Sequence, residues 1–206
     1  MPLLESDLDA DPIAQLERWL ADAAAVGVTE PGAMTLATAT PDGRPSARMV
    51  LLRGLDADGL RFYSNHGSQK GRELAANPRA AVVLHWEQLG RQVRVTGSVM
   101  RLDEAASTAY FASRPHGSRL AAWSSEQSAT APDRAAIDAR FAAVAARFPD
   151  EDVPLPPFWG GYRVVPETLE FWQHGADRLH DRLRYRRPAA TEAANAAGWL
   201  VERLQP

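Results

Sequence analysis

Short apolar runs separated by turn sequences are the feature of this chain that most constrains its fold. Four runs lie between residues 34 and 86, where PDGR and DADG separate some of them, and a fifth follows. The five runs are MTLATAT, PSARMVLLR, LRFYSN, RAAVVLHW and RQVRVTGSVMRL. Runs of this length, bounded by turn residues, predict strands joined in antiparallel hairpins. With helical patterns inserted between them, they predict an α+β barrel or sandwich rather than a βαβ sheet.

Helical patterns surround these runs. Ile13, Leu16 and Leu20 recur at helical spacing after Asp11 and Pro12, which suit a helix cap and a first helical position. A short helix is predicted from Ser68 to the residues before Pro78. Further helices are predicted in DEAASTAYFAS, SRLAAWSS and residues 132–148, and the last strands in YRVVPETLEFWQ, DRLHDRLRYRR and GWLVERLQP.

The chain has no linker long enough to divide it. We therefore predict one domain over residues 31–206, preceded by a helical segment at 1–30 for which a lid over the active site is a hypothesis. No glycine-rich turn has the spacing of a dinucleotide-binding fingerprint or a P-loop.

Composition excludes several classes of function. The chain has no cysteine, which excludes disulfides, a thiolate nucleophile and a sulfur-based metal site, so no metal is expected. A net charge of −3 argues against a general nucleic-acid or membrane-surface binder. No apolar stretch approaches the roughly 18 residues of a membrane span, and the acidic start MPLLESDLDADP is unlike a secretion signal. These observations predict a soluble, cytoplasmic protein.

The sequence RLHDR carries the densest set of candidate functional residues. If it is a strand, Arg178, His180 and Arg182 project from one face at intervals of roughly 6.5–7 Å and form a wall that suits an anion. An arginine-rich, solvated edge strand is the ordinary alternative for this segment alone. A stripe that binds RNA is a third, weakened by the overall acidity.

A second cluster has the chemistry of a phosphate site. Tyr110 and Arg114 lie one helical turn apart, and Ser118 is predicted to cap the helix that follows Pro115. A guanidinium fork with two hydroxyl groups and a helix N-terminus suits a phosphate monoester. The same residues are also explained if one helix simply ends here and the next begins.

Lys70 is the only lysine among 23 basic residues. It occupies the second position of a predicted helix, where the helix dipole disfavours a cation. An anionic ligand at that N-terminus would account for it, although an exposed lysine there costs little. Gln92, Gln127 and Ser128 add groups that suit the polar edge of a heterocycle, and Trp172 suits a planar ring, although tryptophan in an apolar strand is usually core.

Several motifs in order resemble the pyridoxine/pyridoxamine 5′-phosphate oxidase family. They are RMVLLR, FYSN, SQK, RQV, YFASRPHGS, AAWSSEQS, PLPPFWGGYRV, EFWQ and RLHDR, and the resemblance runs from about Met34 to Pro206. It implies an FMN-binding split β-barrel with peripheral helices, a homodimer with FMN at the interface, and phosphorylated B6 vitamers and O₂ as substrates. The implied chemistry is hydride transfer from C4′ of the vitamer to FMN, followed by reoxidation to hydrogen peroxide.

The resemblance also implies a role for each motif residue. Arg178 and His180 would act on the substrate ring, with Arg178 stabilising charge. The substrate 5′-phosphate would be held by Arg53, Tyr110, Arg114 and Ser118. The FMN site would contain Arg48, Met49, Val50, Leu51, Tyr63, Ser64, Gln69, Lys70, Gln92, Gln127, Ser128, Trp172 and Arg182.

Two positions depart from the family pattern. Arg53 stands where a lysine is expected and keeps the charge, whereas Gln69 stands where an arginine is expected and loses a charge beside the FMN phosphate. Two alternatives to the oxidase stay open. One is a split-barrel flavoenzyme with another substrate, such as a phenazine-pathway oxidase or a deazaflavin-dependent reductase. The other is a flavin- or pyridoxal-phosphate-binding protein without turnover.

Overall fold

The structure is a computed structural model that describes residues 2–150, 152–189 and 192–206. These residues form five α-helices and nine β-strands. The helices are α1 (Pro12–Ala25), α2 (Gln69–Ala76), α3 (Glu104–Ala112), α4 (His116–Ser124) and α5 (Arg134–Arg147). The strands are β1 (Ala33–Ala39), β2 (Pro45–Leu51), β3 (Gly54–Asp56), β4 (Gly59–Asn65), β5 (Arg79–Trp86), β6 (Arg91–Arg101), β7 (Trp159–Gln173), β8 (Asp181–Arg186) and β9 (Leu200–Arg203).

All nine strands join one antiparallel sheet. Its order is β2-β1-β5-β6-β7-β4-β3, with β8 paired to β7 and β9 to β8. β7 holds the sheet together because β4 pairs with its first half, β8 with its second half and β6 with nearly its whole length. The antiparallel α+β architecture predicted from the hairpin pattern is confirmed.

The main core lies on one face of the curled sheet. Alternate residues of β1, such as Met34 and Leu36, are fully buried, as the period of a half-buried strand requires. α1 covers this face with Leu16, Trp19 and Ala23, and the Trp19 ring meets Phe171 edge to face at 5.0 Å. A smaller apolar cluster beneath α3, α4 and α5 contains Phe111, Leu120 and Trp159.

The predicted starts of α1 and α2 are confirmed. The Asp11 carboxylate accepts the Ile13 N–H at 2.9 Å, and Ser68 Oγ accepts the Gly71 N–H at 3.2 Å. Gly71 is required where α2 touches the preceding loop, because a Cβ there would lie 2.2 Å from the His66 carbonyl oxygen. α2 therefore sits directly against the end of β4.

The prediction that Arg178, His180 and Arg182 share one face of a strand is wrong. β8 begins only at Asp181, and Arg178 ends a 3₁₀ turn over Ala176–Arg178. Asp177 and Arg178 have φ values of +54° and +65°, in the left-handed region that an extended strand cannot contain. Arg178 therefore projects from a turn that leads into the strand.

The predicted helix cap at Ser118 is also wrong. α4 begins at His116 after Pro115, so Ser118 is its third residue and its N–H bonds to the Pro115 carbonyl at 2.9 Å. Proline has a fixed φ and no N–H to satisfy, which suits a residue at a helix start. The helix therefore starts two residues before the one predicted to cap it.

The N-terminal segment is attached to the β8–β9 edge. The Leu3 N–H donates to Asp181 Oδ2 at 2.9 Å, and the Tyr185 hydroxyl donates to the Asp9 carbonyl at 2.5 Å. Its hypothesised role as a lid stays a prediction. None of the helices described here is both long and apolar enough to cross a membrane.

Candidate functional site

A cavity of about 630 Å³ lies between the end of β2, strand β4 and helices α2 to α4. It brings together eleven residues that the sequence predicted for cofactor or substrate. The cofactor residues are Met49, Val50, Leu51, Tyr63, Ser64, Lys70 and Gln127, and the substrate residues are Arg53, Tyr110, Arg114 and Ser118. Residues separated by up to 78 positions in the chain thus meet because β4 and α2 are adjacent and α3 and α4 pack beside them.

Lys70 provides a buried positive charge at one side of this cavity. Its side chain is only 7% exposed, and Nζ contacts Ser64 Oγ at 3.2 Å and Gln127 Oε1 at 3.0 Å. Among the described residues no carboxylate forms an ion pair with it. Burial lowers the pKa of Lys70 and the nearby Arg48 guanidinium lowers it further, while the Glu73 carboxylate offsets only part of this. An anion at this position would relieve both effects, so the donor set suits a phosphate.

Gln69 and Ser128, which were predicted to bind the cofactor, make contacts within the chain and do not line this cavity. The Gln69 amide donates to Glu73 Oε1 at 2.9 Å, while its backbone N–H donates to Ser128 Oγ at 3.1 Å. Ser128 adopts φ +73°, an unusual conformation for a residue with a side chain. Gln69 and Ser128 thus join the start of α2 to the loop that carries Gln127.

Arg48 precedes the cavity residue Met49 but does not line this cavity, and its guanidinium bonds to other groups of the chain. Its guanidinium donates to Thr38 and Ser46 at 2.6 Å each and forms an ion pair with Glu73 at 3.3 Å. Burial raises the pKa of Glu73, but hydrogen bonds from Ser46, Thr38, Gln69 and Arg48 outweigh it and lower that pKa to about 2. Glu73 therefore fastens β2 and β1 to α2, the helix that carries Lys70.

Arg114 provides a second cation, half-buried, at the other side of the cavity. Its Nη1 atom is buried with no hydrogen-bond partner among the described residues, and burial lowers its pKa. The neighbouring Arg53 lowers that pKa further and is itself held at 3.5 Å from the Glu30 carboxylate. Tyr110 and Ser118 line the same side. This end of the cavity also suits an anion.

Trp159 is a member of this site that the sequence did not reveal. The Arg114 guanidinium carbon lies over its ring, 4.7 Å from the centroid. The ring is nearly parallel to those of Tyr63 and Tyr110. The FWGG motif could have indicated this packing, because its glycines leave room for the Tyr63 ring. A Cβ on Gly161 would lie 2.8 Å from that ring.

The other predicted site residues lie at the far end of β7. Gln92 pairs across strands with Trp172, and Trp172 pairs with Arg182. Arg182 donates to Glu170 Oε1 at 2.8 Å, which raises the pKa of its guanidinium. The His180 ring lies 4.7 Å from Trp172 and 5.4 Å from His174, a neighbour that the sequence did not identify.

The geometry of the turn sets the chemistry of His180. Its Nδ1 accepts the Gly175 N–H at 3.2 Å, so the hydrogen of a neutral imidazole lies on Nε2. Nε2 is then a donor to whatever binds beside it. Arg178, in the same turn, is exposed.

One chain does not assemble both groups into one cavity. Tyr63 pairs with Gly161 and Arg182 with Trp172, so their partners lie eleven positions apart on β7. That is up to about 36 Å along an extended strand. Trp172 lines a different cavity, of about 1000 Å³, which shares no lining residue with the first.

Comparison with known proteins gives consistent matches over nearly the whole chain. The model of the pyridoxamine 5′-phosphate oxidase family matches residues 20–148, and that of the pyridoxine 5′-phosphate oxidase C-terminal dimerisation region matches residues 159–206. A pyridoxine/pyridoxamine 5′-phosphate oxidase of Rubrobacter xylanophilus is 53% identical over 99% of this chain and 91% of its own length. That of Ralstonia pickettii is 54% identical over 98% and 92%.

Solved structures agree on the fold. PhzG of Burkholderia lata 383, crystallised with tetrahydrophenazine-1-carboxylic acid, matches with a TM-score of 0.90 and 36% identity over 99% of this chain and 98% of its own. An FMN-binding protein of Nostoc punctiforme related to pyridoxamine 5′-phosphate oxidase matches with a TM-score of 0.69 and 20% identity over 95% of each chain. The predicted split-barrel fold is confirmed.

Proposed function

The chain belongs to the pyridoxamine 5′-phosphate oxidase family of oxidoreductases, and from this premise we propose that it oxidises pyridoxamine or pyridoxine 5′-phosphate to pyridoxal 5′-phosphate. Oxygen is the acceptor and hydrogen peroxide the second product, in vitamin B6 synthesis or salvage. One observation carries the proposal: a single cavity holds two cations, the buried Lys70 and the half-buried Arg114, that have no carboxylate ion-pair partner among the described residues. A phosphorylated cofactor and a phosphorylated substrate supply one phosphate for each.

The residues around Lys70 fit FMN, the cofactor of this family. A buried ammonium with only hydroxyl and amide partners is the donor set that a phosphate needs. Lys70, Ser64 and Gln127 would bind the FMN phosphate, with Gln69 and Ser128 beside them. Met49, Val50, Leu51 and Tyr63 would line the rest of the flavin, and Arg48 would hold β2 in place beneath it. When bound, FMN supplies a two-electron acceptor for hydride from C4′ of the substrate.

The residues around Arg114 would hold the substrate. Its unpartnered Nη1, the Tyr110 and Ser118 hydroxyls and the Arg53 guanidinium would bind the 5′-phosphate. Arg53 would exchange its contact with Glu30 for this dianion. Because the phosphate is remote from the reacting carbon, its binding fixes the direction in which C4′ faces the flavin.

The residues at the far end of β7 would come from a second copy of the chain. They lie in the part that matches the dimerisation region, and they are too far along β7 to reach the same chain's cavity. We therefore propose a homodimer with FMN at the interface. Gln92, Trp172 and Arg182 of one copy would complete the flavin site of the other. Arg178 would stabilise charge on the substrate as hydride leaves, and His180 Nε2–H would donate to the ring's phenolic oxygen.

A phenazine-type oxidase is the second candidate, favoured by the match to PhzG. The carboxylate of a phenazine carboxylic acid brings one negative charge, whereas a phosphate monoester brings up to two to the end of the cavity that holds both Arg53 and Arg114. That argues for the phosphorylated vitamer. A flavin- or vitamer-binding protein without turnover uses the same residues, and so only an assay separates it. A cytoplasmic location remains a prediction from the sequence.

The proposal is tested with the purified protein saturated with FMN. Pyridoxamine 5′-phosphate and pyridoxine 5′-phosphate are added in air, and aldehyde and hydrogen peroxide are measured together. We expect equal amounts of both, and much slower turnover of unphosphorylated pyridoxamine. A flavin-loaded protein that oxidises neither phosphorylated vitamer would overturn the proposal, and turnover of a dihydrophenazine acid alone would favour the second candidate.

A further inference from the structure

We propose that Trp159 is a positioning residue that presents the Arg114 guanidinium to the substrate phosphate. The proposal rests on the proposed function for the identity of the ligand, but its geometry is independent of turnover. Trp159 is 8% exposed and lines the cavity next to Arg114.

The contact between Trp159 and Arg114 is a face contact. The guanidinium carbon lies 4.7 Å from the centroid of the indole ring, within the range of a cation–π interaction. A guanidinium held by a cation–π contact makes no hydrogen bond to an oxygen through that contact, so it can still donate N–H groups to an anion. Nη1 is the N–H group that is buried without a partner among the described residues. The ring therefore holds Arg114 at the wall of the cavity without taking up any of its N–H groups in a hydrogen bond.

Trp159 also joins the two sides of the cavity. Its ring lies nearly parallel to Tyr63, at 5.7 Å and 12°, and to Tyr110, at 6.2 Å and 3°. Tyr63 and Tyr110 stack on each other at 3.7 Å. Tyr63 belongs to the proposed flavin side and Tyr110 to the proposed phosphate side, so one aromatic group fixes the spacing between the two anion sites.

The backbone around Trp159 leaves its ring little freedom. Its N–H bonds to the Pro156 carbonyl at 3.0 Å, and it pairs in register with Asn65 of β4. Phe111 meets the ring edge to face at 5.1 Å. A flexible apolar residue in this place would fill volume but would not present a fixed π face to Arg114.

The test compares variants of the FMN-saturated enzyme by two readouts. One is the Kd for inorganic phosphate, measured by calorimetry, and the other is the split between KM and kcat for pyridoxamine 5′-phosphate. We expect Trp159→Leu to raise the phosphate Kd and the KM by about tenfold, between the effects of an exposed and a desolvated cation–π contact, with kcat changed much less. Trp159→Phe keeps a π face and should restore most of the affinity. Trp159→Met replaces the leucine variant if that variant does not fold.

Trp123 provides the matched control. It belongs to the same small apolar cluster and has Arg147 at 5.0 Å over its ring, but it lines a different cavity. Trp123→Leu should leave the phosphate Kd unchanged. Because Trp159 acts through Arg114, Trp159→Leu should add little to the loss caused by Arg114→Ala.

Three results would overturn the proposal: an unchanged phosphate Kd in the leucine variant, an equal loss in the Trp123 control, or additive losses in the double variant. A wild-type protein that binds phosphate through Arg114 and Trp159 but oxidises no vitamer would instead refute the proposed function and leave this inference standing.

Discussion

The two ends of β7 carry the two halves of the proposed site, and they are built differently. At the Lys70 end the side chains are buried between β4 and α2, and Glu73 fastens that helix to the sheet. At the Arg178 end the side chains lie on an exposed turn with left-handed backbone angles. In the proposed homodimer the first half would be formed within one chain, whereas the second would act on the cavity of the other copy. Phosphate binding would then be organised before assembly, and the chemistry would depend on assembly.

The largest effect should come from removing Arg178, the charged residue at the second end of β7. Arg178→Ala should lower kcat by about 10²–10³ with FMN binding retained, because it removes charge stabilisation at the reacting ring. Arg44→Ala is the matched control and should have no effect, because this exposed arginine forms an ion pair only with Asp42 among the residues that the structure describes.

Mixing variants then tests whether the halves come from different chains. At substrate concentrations well below the wild-type KM, where both variants are slow, refolding Arg178→Ala with Arg114→Ala should restore roughly a quarter of the wild-type rate, because half the dimers are mixed and each contains one intact site. Each variant refolded alone gives the baseline. A mixture no more active than its components would show that both halves act within one chain.

The next effect concerns the rigidity of the Lys70 end. Hydrogen bonds lower the pKa of Glu73 from 4.5 to about 2, so its contribution to stability is present above pH about 4.5 and is lost as the pH falls toward 2. Glu73→Gln should therefore lower the free energy of unfolding at pH 7 by up to about 3 kcal/mol.

Urea unfolding of the wild type and Glu73→Gln at fixed FMN concentration measures the loss of unfolding free energy at pH 7 and at pH 3. This loss should be smaller at pH 3. Glu17→Gln, at an exposed position of α1, should change little at either pH. A Glu73 effect that is the same at both pH values would contradict the proposed role of the ionised carboxylate.

Arg114→Ala tests the proposed substrate side of the cavity at the Lys70 end of β7. Losing a charged hydrogen bond to phosphate should raise KM about thirtyfold and reduce the rate at low substrate concentration. Steady-state kinetics with pyridoxamine 5′-phosphate measures both, and FMN affinity serves as the internal control because it should not change. Wild-type turnover at low substrate concentration would remove Arg114 from the site.

Lys70→Arg should give the smallest effect. A guanidinium keeps the charge but is larger than the ammonium that contacts Ser64 and Gln127, so we expect FMN affinity to fall by about tenfold. Fluorescence titration with FMN measures this affinity. The control is Arg72→Lys, which makes the reverse exchange of basic residues in the same helix. Unchanged FMN affinity would mean that the single lysine of this chain is a coincidence of composition.

Sequence patterns predicted much of the fold for physical reasons that are local. Apolar runs between turn residues gave the hairpins, and Asp11, Pro12 and Ser68 marked the starts of α1 and α2. Predictions failed where the backbone leaves regular structure. The period of a strand placed Arg178, His180 and Arg182 on one face, but positive φ angles at Asp177 and Arg178 end that period. Ser118 failed because Pro115 started the helix earlier.

The order of motifs along the chain determined the family and a set of candidate residues, since each motif is a local feature that a sequence carries in full. Only the tertiary structure decided how these residues group. It brought Lys70 and Arg114 into one cavity, added Trp159 to it, turned Arg48 toward Glu73 and placed Trp172 at the far end of β7. Which residues meet depends on strand pairing and helix packing between distant segments, and a local pattern does not contain that information.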